Sequence, residues 1–167
     1  MKKVMLLGIN SKFVHTNIAI RYIKKYVEKY SDIEIEIFEK TINNHVEEII
    51  ADIYRKKPEI LMISAYIWNS EYVYKLITEV KKVFKNLTLV LGGPEVSYNA
   101  IELMNKYIEI DYIISGEGEK TTLEFLTKDK KDVKGLYYRE EYKIKFGGIR
   151  EGICDLDEIP FPYEVEE

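Results

Sequence analysis

Cysteine is nearly missing from this chain, and its scarcity removes several classes of function. The single cysteine, Cys154, cannot form an internal disulfide, a CxxC redox pair, or a cysteine-based zinc or iron–sulfur site. Long apolar runs are missing as well, because the longest ones, such as 60–63, fall far short of the ~20 residues that cross a bilayer. We therefore expect a protein that does not enter a membrane and that resides in the cytoplasm.

A charge excess of one sign is also lacking. The 25 Lys and Arg residues are interleaved with 29 Asp and Glu residues, which leaves a net charge of -4 and gives no electrostatic reason to expect nucleic acid. A chain of 167 residues fits one domain, and such a domain buries roughly 70% of the surface that its unfolded chain exposes. The fold therefore needs neither a disulfide nor a structural metal.

The common nucleotide-binding motifs are absent. The chain has no GxxxxGK followed by Ser or Thr, and no GxGxxG after an apolar run. Gly116 and Gly118 supply only the first two glycines of the second motif, and the acidic Glu117 between them would repel a pyrophosphate. A phosphoacceptor receiver would need acidic residues where this chain has Asn10 and Ser64.

What the chain does have is a regular alternation of short apolar runs with stretches of helical spacing. The runs predict strands at 4–7, 33–37, 60–63, 87–91 and 110–114, and the spacing predicts helices at 18–30, from 46 to before Pro58, and at 70–84, 98–107 and 122–126. Thr16 or Asn17 is expected to cap the first helix, and Thr121 the last. Because strands alternate with helices, we predict a flavodoxin-like, Rossmann-like three-layer α/β domain with five parallel strands in the order 2-1-3-4-5.

The C-terminal part breaks this alternation. Residues 136–146 predict a β-hairpin whose tip carries the charged residues Arg139, Glu140 and Glu141. Residues 149–167 contain spaced prolines and predict an extended linker, so we place the domain at 1–148. We expect the chain to be the front part of a longer polypeptide with a catalytic domain downstream.

In a parallel sheet of this kind, ligands bind beyond the carboxyl ends of the strands. Four of the predicted strands end in small or hydroxyl residues, and Leu91 runs directly into Gly92, Gly93, Pro94 and Glu95. Glycine allows a ligand to approach the backbone more closely than any side chain would permit. A tight strand-to-helix turn is the other explanation of such a stretch, and the sequence leaves both open.

These strand ends resemble a known family, the cobalamin-binding domain that precedes the catalytic barrel in cobalamin-dependent radical S-adenosylmethionine enzymes. The resemblance is carried by 3–7, Ser64, Leu91 to Glu95, Asp111 to Glu119 and Leu156 to Pro162. It implies that cobalamin lies across the carboxyl edge of the sheet, with its dimethylbenzimidazole tail in a slot between Ser64, which would hydrogen-bond it, and the two glycines. S-adenosylmethionine and an iron–sulfur cluster would belong to a downstream radical domain of the same polypeptide.

The resemblance and the strand ends together give the candidate cofactor-binding residues. They are Asn10, His15, Ser64, Ala65, Tyr66, Gly92, Gly93, Pro94, Glu95, Gly116, Glu117 and Gly118. Glu95 and Glu117 would accept hydrogen bonds from corrin amides, or else cap helix N-termini. No catalytic residue is predicted, because the radical chemistry of the family needs a CxxxCxxC motif and this chain has one cysteine.

His15 is the candidate cobalt ligand. Related methyltransferase and mutase domains carry DxHxxG at this point, but setting His15 at the histidine puts Phe13 at the aspartate and Ile18 at the glycine. The alternative is a solvent-facing or helix-capping histidine.

Two other functions remain open. One is an interaction module of the same fold with an empty crevice. The other is a flavin-binding domain, although residues 10–16 lack the run of hydroxyl and glycine residues that usually holds a flavin phosphate.

Overall fold

The computed structural model describes residues 3–163. The described elements follow one another as β1 (Val4–Asn10), α1 (Ile18–Tyr30), β2 (Ile35–Thr41), α2 (Val46–Lys56), β3 (Ile60–Ser64), α3 (Ser70–Val83), β4 (Thr88–Gly92), α4 (Pro94–Ser97), α5 (Ala100–Lys106), β5 (Tyr112–Ile114), α6 (Gly118–Thr127), β6 (Leu136–Glu140) and β7 (Lys143–Phe146). All seven strands form one sheet in the order β2-β1-β3-β4-β5-β6-β7. The pairings among β1 to β5 are parallel, and those of β6 and β7 are antiparallel.

Helices cover both faces of this sheet, which makes the predicted three layers. Successive residues of a strand point to opposite faces, so Leu61 packs with α2, α3 and α5, whereas Met62 packs with α1 and α6. The central strands are buried on both sides, which explains why they are continuous apolar runs and not alternating ones. We call the two sides the α2/α3/α5 face and the α1/α6 face.

The hairpin differs from the prediction in two ways. It pairs with β5 and extends the parallel sheet, so the sheet has seven strands where five were expected. Its tip is Glu141 and Tyr142, whose φ values of 47° and 65° suit the two-residue turn that joins twisted strands. Arg139 lies inside β6 and donates from Nε to the Ile110 carbonyl at 3.1 Å, so it anchors the hairpin and does not sit at the tip.

Two helix starts also differ from the prediction. α6 begins at Gly118, four residues before the expected start, and Thr121 is buried inside it with its hydroxyl 3.3 Å from the Glu117 carbonyl, so Thr121 is not the cap. Pro94 opens the one-turn helix α4, which the sequence did not indicate. The Asn17 cap of α1 is confirmed, because its side chain accepts a hydrogen bond from the Ile20 N–H.

Residues after the hairpin pack against α6 and α1. Arg150 pairs with Glu124, and the Ile153 N–H donates to Glu117 Oε2 at 2.8 Å. Further along, the Glu158 carbonyl accepts from Lys29 and Tyr30, each at 3.1 Å. The part of the predicted linker at 164–167 lies outside the described residues. Across 3–163, no helix is both long enough and apolar enough to cross a membrane.

Candidate ligand-binding site at the carboxyl edge of the sheet

A gap opens in the α1/α6 face where β3, β4 and β5 end. Ser64 pairs with Gly92, and Gly92 pairs with Ile114, so the three residues form one row across the sheet. Their strand positions place them on the same side as Met62 and Val90, which lie one level below. Because Gly92 has no side chain, the middle of this row is open. The result is a cavity of about 470 Å³, within the usual range of small-molecule sites.

The structure gathers most of the predicted site residues around this cavity. Those that line it are Ser64, Tyr66, Gly92, Gly93, Pro94, Gly116, Glu117 and Gly118. The floor is apolar and comes from β1, β3 and β4, whereas α1 and α6 form the side walls. Four predicted residues, Asn10, His15, Ala65 and Glu95, are not among the lining residues.

Asn10 and His15 instead organise the loop between β1 and α1. The Asn10 side-chain amide donates to the His15 carbonyl at 2.7 Å and to Glu39 Oε1 at 3.1 Å. The exposed His15 ring has Nδ1 3.0 Å from the Ser11 hydroxyl. Among residues 3–163, no group of three or more His, Cys, Asp or Glu residues is arranged to hold a metal ion. Cobalt ligation by His15 stays a prediction.

Glycine occupies the neighbouring positions 92 and 93, at the end of β4 and in the turn after it, for different reasons. Gly93 has a φ of +108°, and a Cβ there would stand 2.4 Å from the Ala65 carbonyl oxygen, which also accepts from the Glu95 N–H at 3.4 Å. Backbone packing therefore requires glycine at 93 whether or not a ligand binds. At Gly92, an added Cβ would meet Ile114 at 3.8 Å and 3.9 Å, which are ordinary contacts.

Ser64 is held by a residue that the sequence marked only as a helix cap. Asn17 Nδ2 donates to Ser64 Oγ at 2.6 Å. Asn17 can come this close because Gly8 in β1 has no side chain, and a Cβ there would lie 3.1 Å from that of Asn17. The backbone N–H of Asn17 donates to Glu39 Oε1 at 2.7 Å, which fixes the start of α1 over the sheet.

The opposite wall contributes two polar residues of α6 that were not among the predicted cofactor-binding residues. Thr122 is fully buried and lines the cavity, and its hydroxyl has no hydrogen-bond partner among the described residues. Glu119 lies three residues earlier and lines the same wall. Burial raises the pKa of the Glu119 carboxyl, the charge of Glu117 adds to this, and the N–H groups of Glu119 and Gly118 oppose it. An unpartnered buried hydroxyl is uncommon in proteins, and the Thr122 oxygen itself has almost no solvent-accessible surface.

Glu119→Gln is expected to stabilise the ligand-free domain at neutral and higher pH. With its pKa raised above 4.5 in the folded state, Glu119 binds more protons folded than unfolded, so the free energy of unfolding falls as pH rises through that window. The cost is fully present above the raised pKa and is absent below the unfolded one. Thermal melts at about pH 8 should therefore favour Glu119→Gln, and the difference should shrink toward about pH 4. A difference that does not change with pH would contradict this assignment.

Aromatic side chains border the cavity mouth. Tyr66 stacks on Trp68 with ring centroids 4.4 Å apart and an interplanar angle of 10°, and burial raises the pKa of the Tyr66 hydroxyl. Phe13 and Tyr98, from the loops after β1 and β4, are 94% and 96% exposed. Large exposed rings at the ligand edge of such a sheet mark a surface suited to a large apolar partner.

Comparisons with known proteins agree with this fold and site. Residues 4–126 match the B12 binding domain family. The chain is 28% identical over 155 residues to the uncharacterized methyltransferase PH0819 of Pyrococcus horikoshii, covering 87% of this chain and 32% of that protein. It is 28% identical over 113 residues to the cobalamin-dependent radical SAM methyltransferase TokK of Streptomyces tokunonensis, covering 64% of this chain and 17% of that protein. The chain thus spans less than a third of either relative.

Solved structures show the same fold. The cobalamin-dependent S-adenosylmethionine radical enzyme OxsB with aqua-cobalamin bound matches with a TM-score of 0.78 at 17% identity, over 96% of this chain and 24% of that one. The radical S-adenosylmethionine methyltransferase TsrM from Kitasatospora setae matches with a TM-score of 0.74 at 18% identity, over 89% of this chain and 30% of that one. A CheY-like protein from Pseudomonas aeruginosa has a TM-score of 0.52, as expected for one flavodoxin-like architecture.

The fold and the cavity define an α/β domain with a candidate ligand site at the carboxyl edge of its sheet. The chain belongs to the B12 binding domain family. It is a cobalamin-binding domain similar to those of cobalamin-dependent radical S-adenosylmethionine methyltransferases, and the suspected family is confirmed. The residues around the cavity fit such a cofactor, because the missing side chain at Gly92 leaves an open volume with an apolar floor beside Ser64.

Proposed function

We propose that this domain holds cobalamin with the corrin across the carboxyl edge of the sheet and the nucleotide tail in the cavity over Gly92. The chemistry itself is assigned to a radical S-adenosylmethionine domain downstream in the same polypeptide, in the cytoplasm. When bound, cobalamin supplies a cobalt centre suited to group transfer. The observation that carries the proposal is the cavity, which is apolar at its floor and is lined by Ser64 beside the open position at Gly92.

Each predicted site residue has a place in this proposal. Ser64 donates a hydrogen bond to the tail, and Gly92 leaves the volume that the tail fills. Tyr66, Pro94, Gly116 and Gly118 form the walls near the mouth. Gly93 and Ala65 act indirectly, since their close backbone contact shapes the end of β4.

The polar residues of the edge act on different parts of the cofactor. Glu117 is already engaged by the Ile153 N–H, so it accepts from a corrin amide through its remaining lone pairs. Glu95 follows the same turn as Gly93 and is a second acceptor for corrin amides. Asn10 holds the loop after β1 through the His15 carbonyl, and His15 is the residue of that loop that would supply a ligand to cobalt.

The exposed rings favour a second role for the same edge. Tyr98 lines the cavity and Trp68 stacks on Tyr66, so the rim of a corrin or a neighbouring domain would cover these rings. An interaction module with an empty crevice would use these rings but would not need the cavity. The two functions therefore differ in their requirement for cofactor.

Titration with hydroxocobalamin and, separately, with FMN tests this proposal. We expect a shifted corrin spectrum and no quenching of flavin fluorescence. Ser64→Ala removes one hydrogen bond, worth roughly 0.5–1.5 kcal/mol, and should weaken cobalamin binding by up to about tenfold. An unchanged corrin spectrum at saturating protein would instead favour the interaction module, and quenched flavin would favour a flavin domain.

The domain alone is not expected to carry the radical chemistry. The single cysteine, Cys154, cannot supply the three thiolates that the cluster of this enzyme family needs. Incubation with iron, sulfide, reductant and S-adenosylmethionine should give no cluster and no cleavage of S-adenosylmethionine. A stable cluster on this chain would overturn the division of labour between the two domains.

A further inference from the structure

The amide of Asn17 can face only one way. Its Oδ1 accepts the Ile20 N–H at 3.4 Å as the helix cap, so Nδ2 is the atom that faces Ser64 Oγ at 2.6 Å. A flipped amide would place an N–H group against the Ile20 N–H and a carbonyl against Ser64, and the cap would be lost. The cap of α1 therefore sets the direction of the hydrogen bond to Ser64.

This direction decides what Ser64 can offer to a ligand. Because Ser64 Oγ accepts from Asn17, its own proton is left over. Within residues 3–163, no acceptor for that proton is found. Since Ser64 lines the cavity next to Gly92, its O–H can point to the open volume. Ser64 is thus a hydrogen-bond donor toward the cavity.

Asn17 is held firmly enough to impose this arrangement. It is 7% exposed, and its backbone N–H donates to Glu39 at 2.7 Å. Glu39 also accepts from Asn10, Thr16 and Arg21. Burial alone would raise the Glu39 pKa, but these hydrogen bonds and the Arg21 charge hold it below its ordinary value, so the carboxylate stays ionised.

We propose that Asn17 is a positioning residue that makes Ser64 a one-way donor, so that this domain selects cobamides whose lower base carries a free ring nitrogen. This inference rests on the proposed function, in which the tail occupies the cavity. A benzimidazole or purine base that is not bound to cobalt presents an sp² nitrogen lone pair, which accepts the Ser64 proton. A phenolic base, joined to its ribose through an ether oxygen, has no such nitrogen and leaves the donor unsatisfied.

The test compares cobalamin with p-cresolyl cobamide, which keeps the corrin, the ribose and the phosphate but has a phenolic base. The ratio of cobalamin affinity to p-cresolyl cobamide affinity should be roughly two- to tenfold larger in the wild-type domain than in Ser64→Ala, the affinity equivalent of one hydrogen bond. The cost of releasing the benzimidazole from cobalt is the same in both proteins and cancels in this comparison. Asn17→Asp keeps the shape and the helix cap, but its carboxylate accepts the Ser64 proton and withdraws it from the cavity. In Asn17→Asp, cobalamin binding should therefore weaken while p-cresolyl cobamide binding does not, so the ratio of the two affinities should fall to its value in Ser64→Ala.

The remaining comparisons separate positioning from a structural or charge effect. The added negative charge acts on the phosphate of both cobamides, so it cancels in the ratio of their affinities. Cobinamide, which has no nucleotide tail, supplies a reference for the corrin alone. Asn17→Asp combined with Ser64→Ala should lose no more preference than either change alone.

The outcomes also distinguish this inference from the proposed function. An affinity ratio that keeps its wild-type value in folded Asn17→Asp, or one that is equal in the wild-type domain and Ser64→Ala, would overturn the inference and leave cobalamin binding intact. A wild-type domain that binds no cobamide would overturn both. The comparison of the wild-type domain with Ser64→Ala stays decisive even where Asn17→Asp fails to fold.

Discussion

Gly92→Leu is expected to abolish cobalamin binding, by at least about 100-fold, in a domain that still folds. Gly92 stands between Ser64 and Ile114 in the row that opens the cavity, so a side chain there projects into the volume assigned to the tail. The fold tolerates the change because a Cβ at 92 meets Ile114 only at ordinary distances, and its φ is not in the left-handed region.

Spectral titration and circular dichroism together check this expectation. Gly92→Ala is the matched control, because its methyl group fits against Ile114 and fills little of a cavity of about 470 Å³. It should bind cobalamin within a few-fold of wild type. Unchanged affinity in a folded Gly92→Leu protein would place the cofactor elsewhere.

Gly93→Ala is expected to have the opposite pattern, a large loss of stability in the absence of any ligand. The φ of +108° is strained for alanine, and the new Cβ would stand 2.4 Å from the Ala65 carbonyl oxygen, so β4 and the turn after β3 must move apart. Backbone strain and overpacking each cost on the order of 1–3 kcal/mol, which gives roughly 2–6 kcal/mol in all.

Urea unfolding of the ligand-free domain measures this loss, and Gly116→Ala is the control. Gly116 has a φ of +82°, but no atom lies within 4 Å of an added Cβ, so that variant carries the dihedral cost without the backbone collision. Gly93→Ala should therefore be clearly the less stable of the two. Equal stability of the two variants would show that the contact with Ala65 relaxes freely, and residue 93 would then be open to tests of ligand binding.

The order of the parallel strands was predictable because each strand is a short apolar run and each crossover is one amphipathic helix. Val4 to Leu7, Ile60 to Ile63 and Leu89 to Leu91 are buried on both faces, and this pattern is typical of strands in a covered parallel sheet. In the segment 33–37, isoleucines alternate with Glu34 and Glu36, which predicted a strand near an edge of the sheet. β2 is indeed an edge strand.

The predictions of element boundaries and strand pairing were wrong where the local sequence signal was weak or where contacts between distant segments determine the structure. Glu119, Lys120 and Thr121 looked like loop residues, yet they form the first turn of α6 because that turn faces the cavity and α1. The positions of Glu141 and Tyr142 at the hairpin tip depend on positive φ values, which neither residue signals in sequence. The pairing of β6 with β5 is a long-range contact that short turn signals do not specify.

The location of the site was predictable from the sequence, but the contacts and hydrogen bonds within it were less so. Ser64 and the glycines identified the carboxyl edge, but the backbone collision that fixes Gly93 depends on how closely Ala65 approaches. The link from Asn17 to Ser64 joins residues 47 positions apart, and the unpartnered Thr122 hydroxyl is visible only once the helix is packed. Such pairings are set by tertiary geometry and leave no local pattern.

The hairpin also bears on aggregation. The family match stops at 126, whereas the sheet continues through β7 at Phe146. A truncation that followed the family boundary would strip β6 from β5 and leave the outer backbone groups of Tyr112 to Ile114 unpaired, a ready template for strand exchange between molecules. In the intact domain that edge is β7, a four-residue strand with exposed Lys143 and Lys145, whose charges discourage another chain from adding to the sheet.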